Sequence, residues 1–468
     1  MRGFRLSAVS KQEDRSLPQV RVDVIEHGMR ARRGRDACII DGDITFSTSH
    51  LESYCLAEWQ PVIFDALVLT AAIEFCDRTR RRHAHTWARE IELQIPVHEP
   101  ERWNDRTVSS ALHDAIGFLT GDLWSISFTP RRKPVAKPQQ FHFDIPREPC
   151  AVIAFSEGLD SRAVAGLMHK ELGERLIRVR LGSKAFEPET SPSAKKQPFT
   201  SVPYRVRPRE LTNVESSARS RGFKFAMASG LAAYVIKAER IIVPESGQGS
   251  LGPVLVPVGQ AYEDYRNHPF FTDRMEKFLE ALFGHRMRFE FPQIWHTKGE
   301  TLSRFVKECE DGHAWTSTWS CWQQNRQVSV DHQRRQCGIC AACMLRRLSV
   351  HAAGLTESSQ LYVWENLGAS TFVAGAAPKF RHLGRAQFEY AIAGTLHLDH
   401  LASFRQSAIN RPVYDLAVSQ LSRSRGLASS DVMQKLDRLL AKHEEEWKNF
   451  LASLGANSFV AKWARHER

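Results

Sequence analysis

Short runs of alternating or continuous apolar residues give the first picture of this chain. The stretch VRVDVIEH from Val20 alternates apolar and polar positions, and DLWSISFTP from Asp122 does the same. Both predict half-buried strands. Between them, EWQPVIFDALVLTAAIEFC from Glu58 places Ile63, Leu67, Leu69, Ile73 and Phe75 on a broad apolar face, as a core helix would. Residues 1–145 therefore read as an N-terminal α+β accessory domain. The stretch PRRKPVAKPQQ at 130–140 is basic, proline-rich and aperiodic, which predicts a linker.

From Pro149 the pattern changes. CAVIAF is a short, continuously apolar strand, followed by SEGLDS and a helical stretch, RAVAGLMHKEL. LIRVRLG from Leu176 is a second strand, and the polar EPETSPSAKKQ after it is a loop. GFKFAMASGLAAYVIKA then predicts a buried helix, and ERIIVPES a third strand with its turn. Strands alternating with helices predict parallel βαβ units and an α/β, doubly wound sheet over 146–355. The region 356–468 reads as mainly helical. From Ser430, the residues Val432, Leu436, Leu439, Leu440, His443, Trp447 and Leu451 form one stripe, expected to pack on its own domain.

Composition changes this picture little. A chain of 468 residues is expected to hold two or three domains, and 42% hydrophobic with 25% charged residues is ordinary for a soluble protein. No apolar run reaches the ~18 residues that span a bilayer, and MRGFRLSAVSKQEDR has no apolar h-region. The expectation is a cytoplasmic protein without a membrane partner. The net charge of +11 leaves nucleic acid open as a partner. Its local clusters, Arg80 to Arg82 and Arg131 to Lys133, read first as solvated faces or linkers. Nine cysteines suit reduced thiols rather than disulfides in such a compartment. Cys38, Cys55, Cys76, Cys150 and Cys309 are scattered and read as small apolar side chains.

Two clusters carry chemistry. Ser156-Glu157-Gly158-Leu159-Asp160-Ser161 lies directly between a predicted strand and helix. A glycine there lets backbone N–H groups close on an anion, and the helix N-terminus adds partial positive charge. Ser156 and Ser161 can donate to phosphate oxygens, and Asp160 can hold Mg²⁺ or brace the loop. On spacing alone, a serine-capped turn explains the motif as well. The second cluster is Cys321, Cys337, Cys340 and Cys343, a C-x15-C-x2-C-x2-C pattern. Four thiolates close a tetrahedral Zn²⁺ site, and Gly338 frees the turn between two of them. Such a site contributes folding free energy of roughly 10 kcal/mol or more. An iron–sulfur cluster uses the same ligands and stays open.

CAVIAFSEGLDS resembles the SGGxDS pyrophosphate loop of the PP-loop ATPase superfamily, with Glu157 in place of the first glycine. TWSCW and CGICAACMLRR are similar to the zinc segment of the QueC family, the 7-cyano-7-deazaguanine synthases. SRGFKFAMASGLAAYVIKAERIIVPES and IWHTKGETLSRF resemble further QueC segments, which bring in Arg221, Phe225, Lys298 and Glu300. Gly222 stands where the family has asparagine. The family's base-pocket segment is absent: here the chain reads GQGSLGPVLVPVGQAYEDYRNHPF. The long ends resemble the QueC-like proteins of bacterial anti-phage gene clusters, the QatC-like variety.

The resemblance implies a PP-loop (HUP-like) domain at 146–355, with a zinc knuckle at 318–347 and a helical region at 356–468. It further implies that Ser156, Gly158, Leu159, Asp160 and Ser161 bind ATP with Mg²⁺, and that Asp160, Arg221 and Lys298 are catalytic. The implied reaction adenylates a 7-carboxy-7-deazaguanine-type carboxylate, and ammonia then yields an amide or nitrile. Transfer of the activated group to an amine of a protein partner from the same gene cluster is the leading alternative product. A tRNA-modifying PP-loop enzyme and a nucleotide-binding scaffold disabled by Glu157 are the rival readings. Trp319 and Trp322 are candidates for stacking on a deazapurine, against simple packing around the zinc knuckle.

Overall fold

The structure is a computed structural model that describes residues 17–46, 60–82, 87–132, 151–180, 203–208, 215, 219–259, 262–323 and 328–465. Most of the linker at 130–140, the EPETSPSAKKQ loop, Cys55 and Cys150 lie outside the described residues.

The N-terminal region contains β1 (Gln19–Ile25), β2 (Asp36–Ile39), β3 (Ile44–Phe46), α1 (Pro61–Thr79), β4 (Glu90–Val97), α2 (Pro100–Asn104), α3 (Arg106–Thr120) and β5 (Leu123–Pro130). Four of these strands form one sheet in the order β2-β1-β4-β5. Every pairing in it is parallel. This corrects the α+β expectation. Alternation along a strand reveals a half-buried face, but it does not reveal the direction of the neighbouring strand. Helices α1 and α2–α3 are crossovers that bring each new strand in parallel to the last. The apolar α1 is buried nearly all round, including Ile63, Leu67, Leu69, Ile73 and Phe75.

The second sheet begins at β6 (Ala151–Phe155), followed by α4 (Leu159–Leu172), β7 (Leu176–Arg180), β8 (Tyr204–Val206), α5 (Arg221–Ile236) and β9 (Arg240–Ile242). Next come α6 (Gly247–Ser250), α7 (Gly252–Leu255), α8 (Pro269–Phe283), β10 (Arg288–Glu290) and α9 (Lys298–Glu308). The sheet order is β10-β9-β6-β7, again parallel throughout. Ala151, Ile153 and Phe155 pack against Val164 and Met168 of α4, whereas Val152 joins Phe223 and Leu231 of α5 in a different core. Helices therefore cover both faces, as expected for a doubly wound sheet. The chain leaves β6 for β7 on one side and later returns to β9 on the other. The crevice between the ends of β6 and β9 is the switch point where such sheets bind ligands.

A short hairpin pair, β11 (Ser329–Val330) with β12 (Gln333–Arg334), precedes α10 (Ala341–Ala352). Helices α11 (Arg385–Ser403), α12 (Arg411–Arg425), α13 (Ser429–Leu454) and α14 (Phe459–Arg465) complete the chain, so the C-terminal region is mainly helical as expected. Among the described residues no helix is long and apolar enough to cross a membrane.

The regions share their cores. One cluster runs from Val20 and Leu93 through Leu67 and Phe223 to Phe278 and Leu439. Strand β3 also pairs antiparallel with β8, joining Ile44 to Val206. A buried charge network adds to this seam. The Arg89 guanidinium is fully buried and lies 2.7 Å from both Asp77 and Asp122. Asp77 also accepts the backbone N–H of Ser220 at 2.9 Å, just before α5. Arg89→Ala leaves two buried carboxylates short of a partner and is expected to cost about 3–5 kcal/mol, read as a lower urea midpoint.

Candidate functional site

Strand β6 ends at Phe155, and Ser156, Glu157 and Gly158 turn the chain into α4. No side chain caps the N-terminus of α4, so its first-turn N–H groups face the crevice end uncapped. The Ser156 and Ser161 hydroxyls lie 2.8 Å apart, and the Gly158 N–H donates to Ser156 Oγ at 3.2 Å. The Leu159 side chain is buried with Leu302 and Phe305 of α9, so it offers the loop only its backbone N–H.

Glu157 fits the loop without strain. Among the described residues, the only non-glycine residues with positive φ are Asp41, Lys237, Asp331 and His332. The Glu157 backbone therefore makes no demand that glycine alone can meet. Its carboxylate accepts from Arg180, the last residue of β7, at 3.1 Å. Its charge is thus balanced by a cation from the neighbouring strand.

Asp160 and Lys298 meet across the crevice in a buried ion pair; the two residues are 7% and 8% exposed. Asp160 Oδ1 also accepts from the Ser246 hydroxyl at 2.9 Å, beyond β9. Burial disfavours the Lys298 ammonium, but the Asp160 and Glu245 carboxyls outweigh it and hold its pKa above the ordinary lysine value. Burial, and then the Asp160 charge, push the Glu245 carboxyl up to about 8.

Arg221, at the first turn of α5, lies further out. Its guanidinium sits over the Phe225 ring at 5.0 Å. Burial and then Arg266 lower its pKa. Arg266 is paired with Asp264 and also within electrostatic reach of Glu245. The close approach of the two arginines depends on Gly222, where a Cβ would lie 2.8 Å from the Arg266 Cα. Two guanidiniums held side by side suit an anion such as phosphate or carboxylate.

The four cysteines are all buried and their sulfurs lie within 4.8 Å of one another. Cys337 and Cys343 sulfurs are 3.7 Å apart. A tetrahedron with ~2.3 Å Zn–S bonds has edges of about 3.8 Å, so the cage fits a single ion. A cluster of several irons would hold the thiolates further apart. Gly338 adopts φ 84°, the left-handed turn expected between Cys337 and Cys340. The N–H groups of Cys337 and Cys340 donate to cysteine sulfurs at 3.2 and 3.3 Å. The neighbouring thiols pull the Cys321 thiol far down, while burial pushes Cys337 and Cys343 up. A second thiolate in that cage therefore calls for a cation. His313, His332 and His351 stay outside the cluster. Cys38 and Cys76 are buried small side chains.

This cysteine segment touches the phosphate loop. The Trp319 N–H, two residues before Cys321, donates to the Glu157 carbonyl at 2.8 Å. Trp322 is 61% exposed beside it.

Residues 255–354 match the family model of the queuosine biosynthesis protein QueC. The match contains Arg266, Lys298 and the four cysteines, so this part of the chain is similar to QueC. Of the divergent stretch 247–270, the part from Leu255 to Phe270 falls inside the match; the loop at 156–161 falls outside. No curated protein and no solved structure matches the chain.

The structure thus brings Ser156, Asp160, Ser161 and Lys298 together and sets Arg221 at the rim. Sequence reasoning missed Glu245, Ser246, Arg180 and Arg266. A signal existed for three of them, since Glu245 and Ser246 follow the third strand and Arg180 ends the second. Residues at those strand ends border the switch point.

Two measurements check the site. Removing the metal with a chelator, or Cys340→Ser, is expected to loosen the Glu157 carbonyl and weaken ATP binding, followed by calorimetry and tryptophan fluorescence. Glu245 keeps a proton in the folded chain that it loses near its ordinary value of 4.5 when unfolded. Its contribution to stability is therefore full below that value and is lost as pH rises through about 8. Glu245→Gln is expected to gain stability relative to wild type across that window, read by urea denaturation in a pH series.

Proposed function

We propose that the chain uses ATP to adenylate a carboxylate in the crevice between β6 and β9, as a QueC-like synthase of the C–N ligase class. The observation that carries the reading is the Asp160–Lys298 ion pair. It joins the pyrophosphate-loop motif, which lies outside the family match, to the lysine segment inside it.

In this reading the triphosphate lies against the N-terminus of α4, with Ser156 and Ser161 donating to the leaving pyrophosphate. Asp160 and Glu245 would hold Mg²⁺ through their carboxylates, and the ion would neutralise phosphate charge there. Lys298, released from Asp160, then stabilises charge on the phosphates. The substrate is a 7-carboxy-7-deazaguanine-type acid, whose own carboxylate turns toward the α-phosphate; Arg221 and Arg266 steady anionic oxygens nearby. A carboxylate oxygen attacks the α-phosphorus, the P–O bond to pyrophosphate breaks, and an acyl adenylate forms. Ammonia attacks the acyl carbon, loses a proton and expels AMP, giving the amide. A second activation of the amide oxygen gives the nitrile. In the alternative reading the acceptor is an amine of a protein partner within an anti-phage system. The balanced Glu157–Arg180 pair favours a working loop over a disabled scaffold.

The test is incubation in an ammonium-containing buffer with ATP, Mg²⁺ and 7-carboxy-7-deazaguanine, following AMP by chromatography and product by mass. AMP is expected only with all three present, falling on the order of 100-fold in Lys298→Ala and Ser161→Ala. Arg180→Ala is expected to weaken ATP binding about tenfold, and Glu157→Gly in that background to restore it. No AMP from a folded, zinc-loaded protein removes the reading.

A further inference from the structure

Helix α13 lies outside the QueC match, which ends at residue 354. Its apolar stripe is buried as expected, yet its polar side chains converge on one turn of another helix. Thr297 caps α9 in a closed capping box with Glu300. The Thr297 hydroxyl also donates to Glu446 Oε1 of α13 at 2.6 Å. The backbone N–H of Lys298 donates to Gln248 Oε1 at 2.8 Å, and Gln248 Nε2 donates to His443 Nδ1 of α13 at 2.7 Å. His443 Nε2 then donates to the Leu398 carbonyl at 2.9 Å, which fixes its tautomer. Arg438 of α13 pairs with Glu300 at 2.8 Å.

Thr297 and His443 are fully buried, and Gln248 and Glu446 nearly so. A helix that only packs needs none of these groups, because burying polar atoms costs free energy unless they are bonded. Here Glu446 and Arg438 bond Thr297 and Glu300 directly and His443 reaches the Lys298 N–H through Gln248, all in the turn from which the Lys298 side chain meets Asp160.

We infer that His443 and Glu446 are positioning residues for Lys298. Glu446 holds the Thr297 hydroxyl and His443 holds Gln248, which holds the Lys298 backbone N–H, so the C-terminal helical region is part of the nucleotide site's machinery. The inference rests on the reading of Lys298 as a nucleotide-facing group.

The experiment is competitive acylation of lysine amines in the full-length, zinc-loaded protein, read lysine by lysine by mass spectrometry with and without ATP. A buried, ion-paired amine reacts only as its surroundings open or its charge falls. Without ATP, His443→Leu and Glu446→Leu are expected to raise the Lys298 rate about fivefold or more. Other lysines and the melting temperature should hold. Glu446→Gln, which keeps an acceptor for Thr297, should stay near wild type. An unchanged Lys298 rate in the folded leucine variants overturns the inference, as does Glu446→Gln behaving like leucine. Should those variants fail to fold, Gln248→Leu severs the same link from the other side, and an unchanged rate there is equally decisive. ATP should protect Lys298 in the wild type. If it does not while the variants still raise the rate, the nucleotide reading falls and the positioning role stands.

Discussion

The buried pair of Asp160 and Lys298 is the constraint on which the rest of this structure depends. Two oppositely charged groups taken out of water repay their desolvation only when geometry and further hydrogen bonds are good. Asp160 has the Ser246 hydroxyl, and Lys298 has a second carboxyl in Glu245. The pair therefore fixes three chain segments at once: the start of α4, the turn after β9 and the start of α9. Those are the segments that border the switch-point crevice.

The surrounding regions act on that centre through short, specific links. The cysteine cage holds the segment whose Trp319 N–H steadies the Glu157 carbonyl. Arg346, fully buried, pairs with Glu357 at 2.6 Å and bonds the Thr318 hydroxyl, so the same segment is held from behind. From the N-terminal side, Asp77 of the Arg89 network accepts the N–H of Ser220 and Arg219 bonds the Thr120 carbonyl, which fixes the start of α5 and with it Arg221. From the C-terminal side α13 grips the first turn of α9. Both added regions thus bear on the segments that border the crevice, the N-terminal one at the start of α5 and the C-terminal one at the first turn of α9.

Much of this was legible in the sequence. Strand–helix alternation from Pro149 is a local signal, because a buried parallel strand needs a continuous apolar run and its crossover helix an apolar face. The loop at 156–161 and the run of Cys337, Cys340 and Cys343 are equally local, since each lies within a short stretch of chain, whereas Cys321 joins from 16 positions upstream. The all-round apolar α1 announced its own burial. Strand direction in the N-terminal sheet was not legible, because alternation reads the same in parallel and antiparallel pairs.

What the sequence determined by itself was each element's type and the two clusters of chemistry whose members are neighbours in the chain. Only the tertiary structure decided which distant residues meet. The pairing of Asp160 with Lys298, of Glu157 with Arg180 and of Thr297 with Glu446 joins residues 138, 23 and 149 positions apart. No periodicity encodes such contacts. They follow from sheet order and helix packing, which set the ends of β6, β7, β9 and α9 around one crevice. Side chains of ordinary polar type then become a site because burial leaves each of them few partners other than one another.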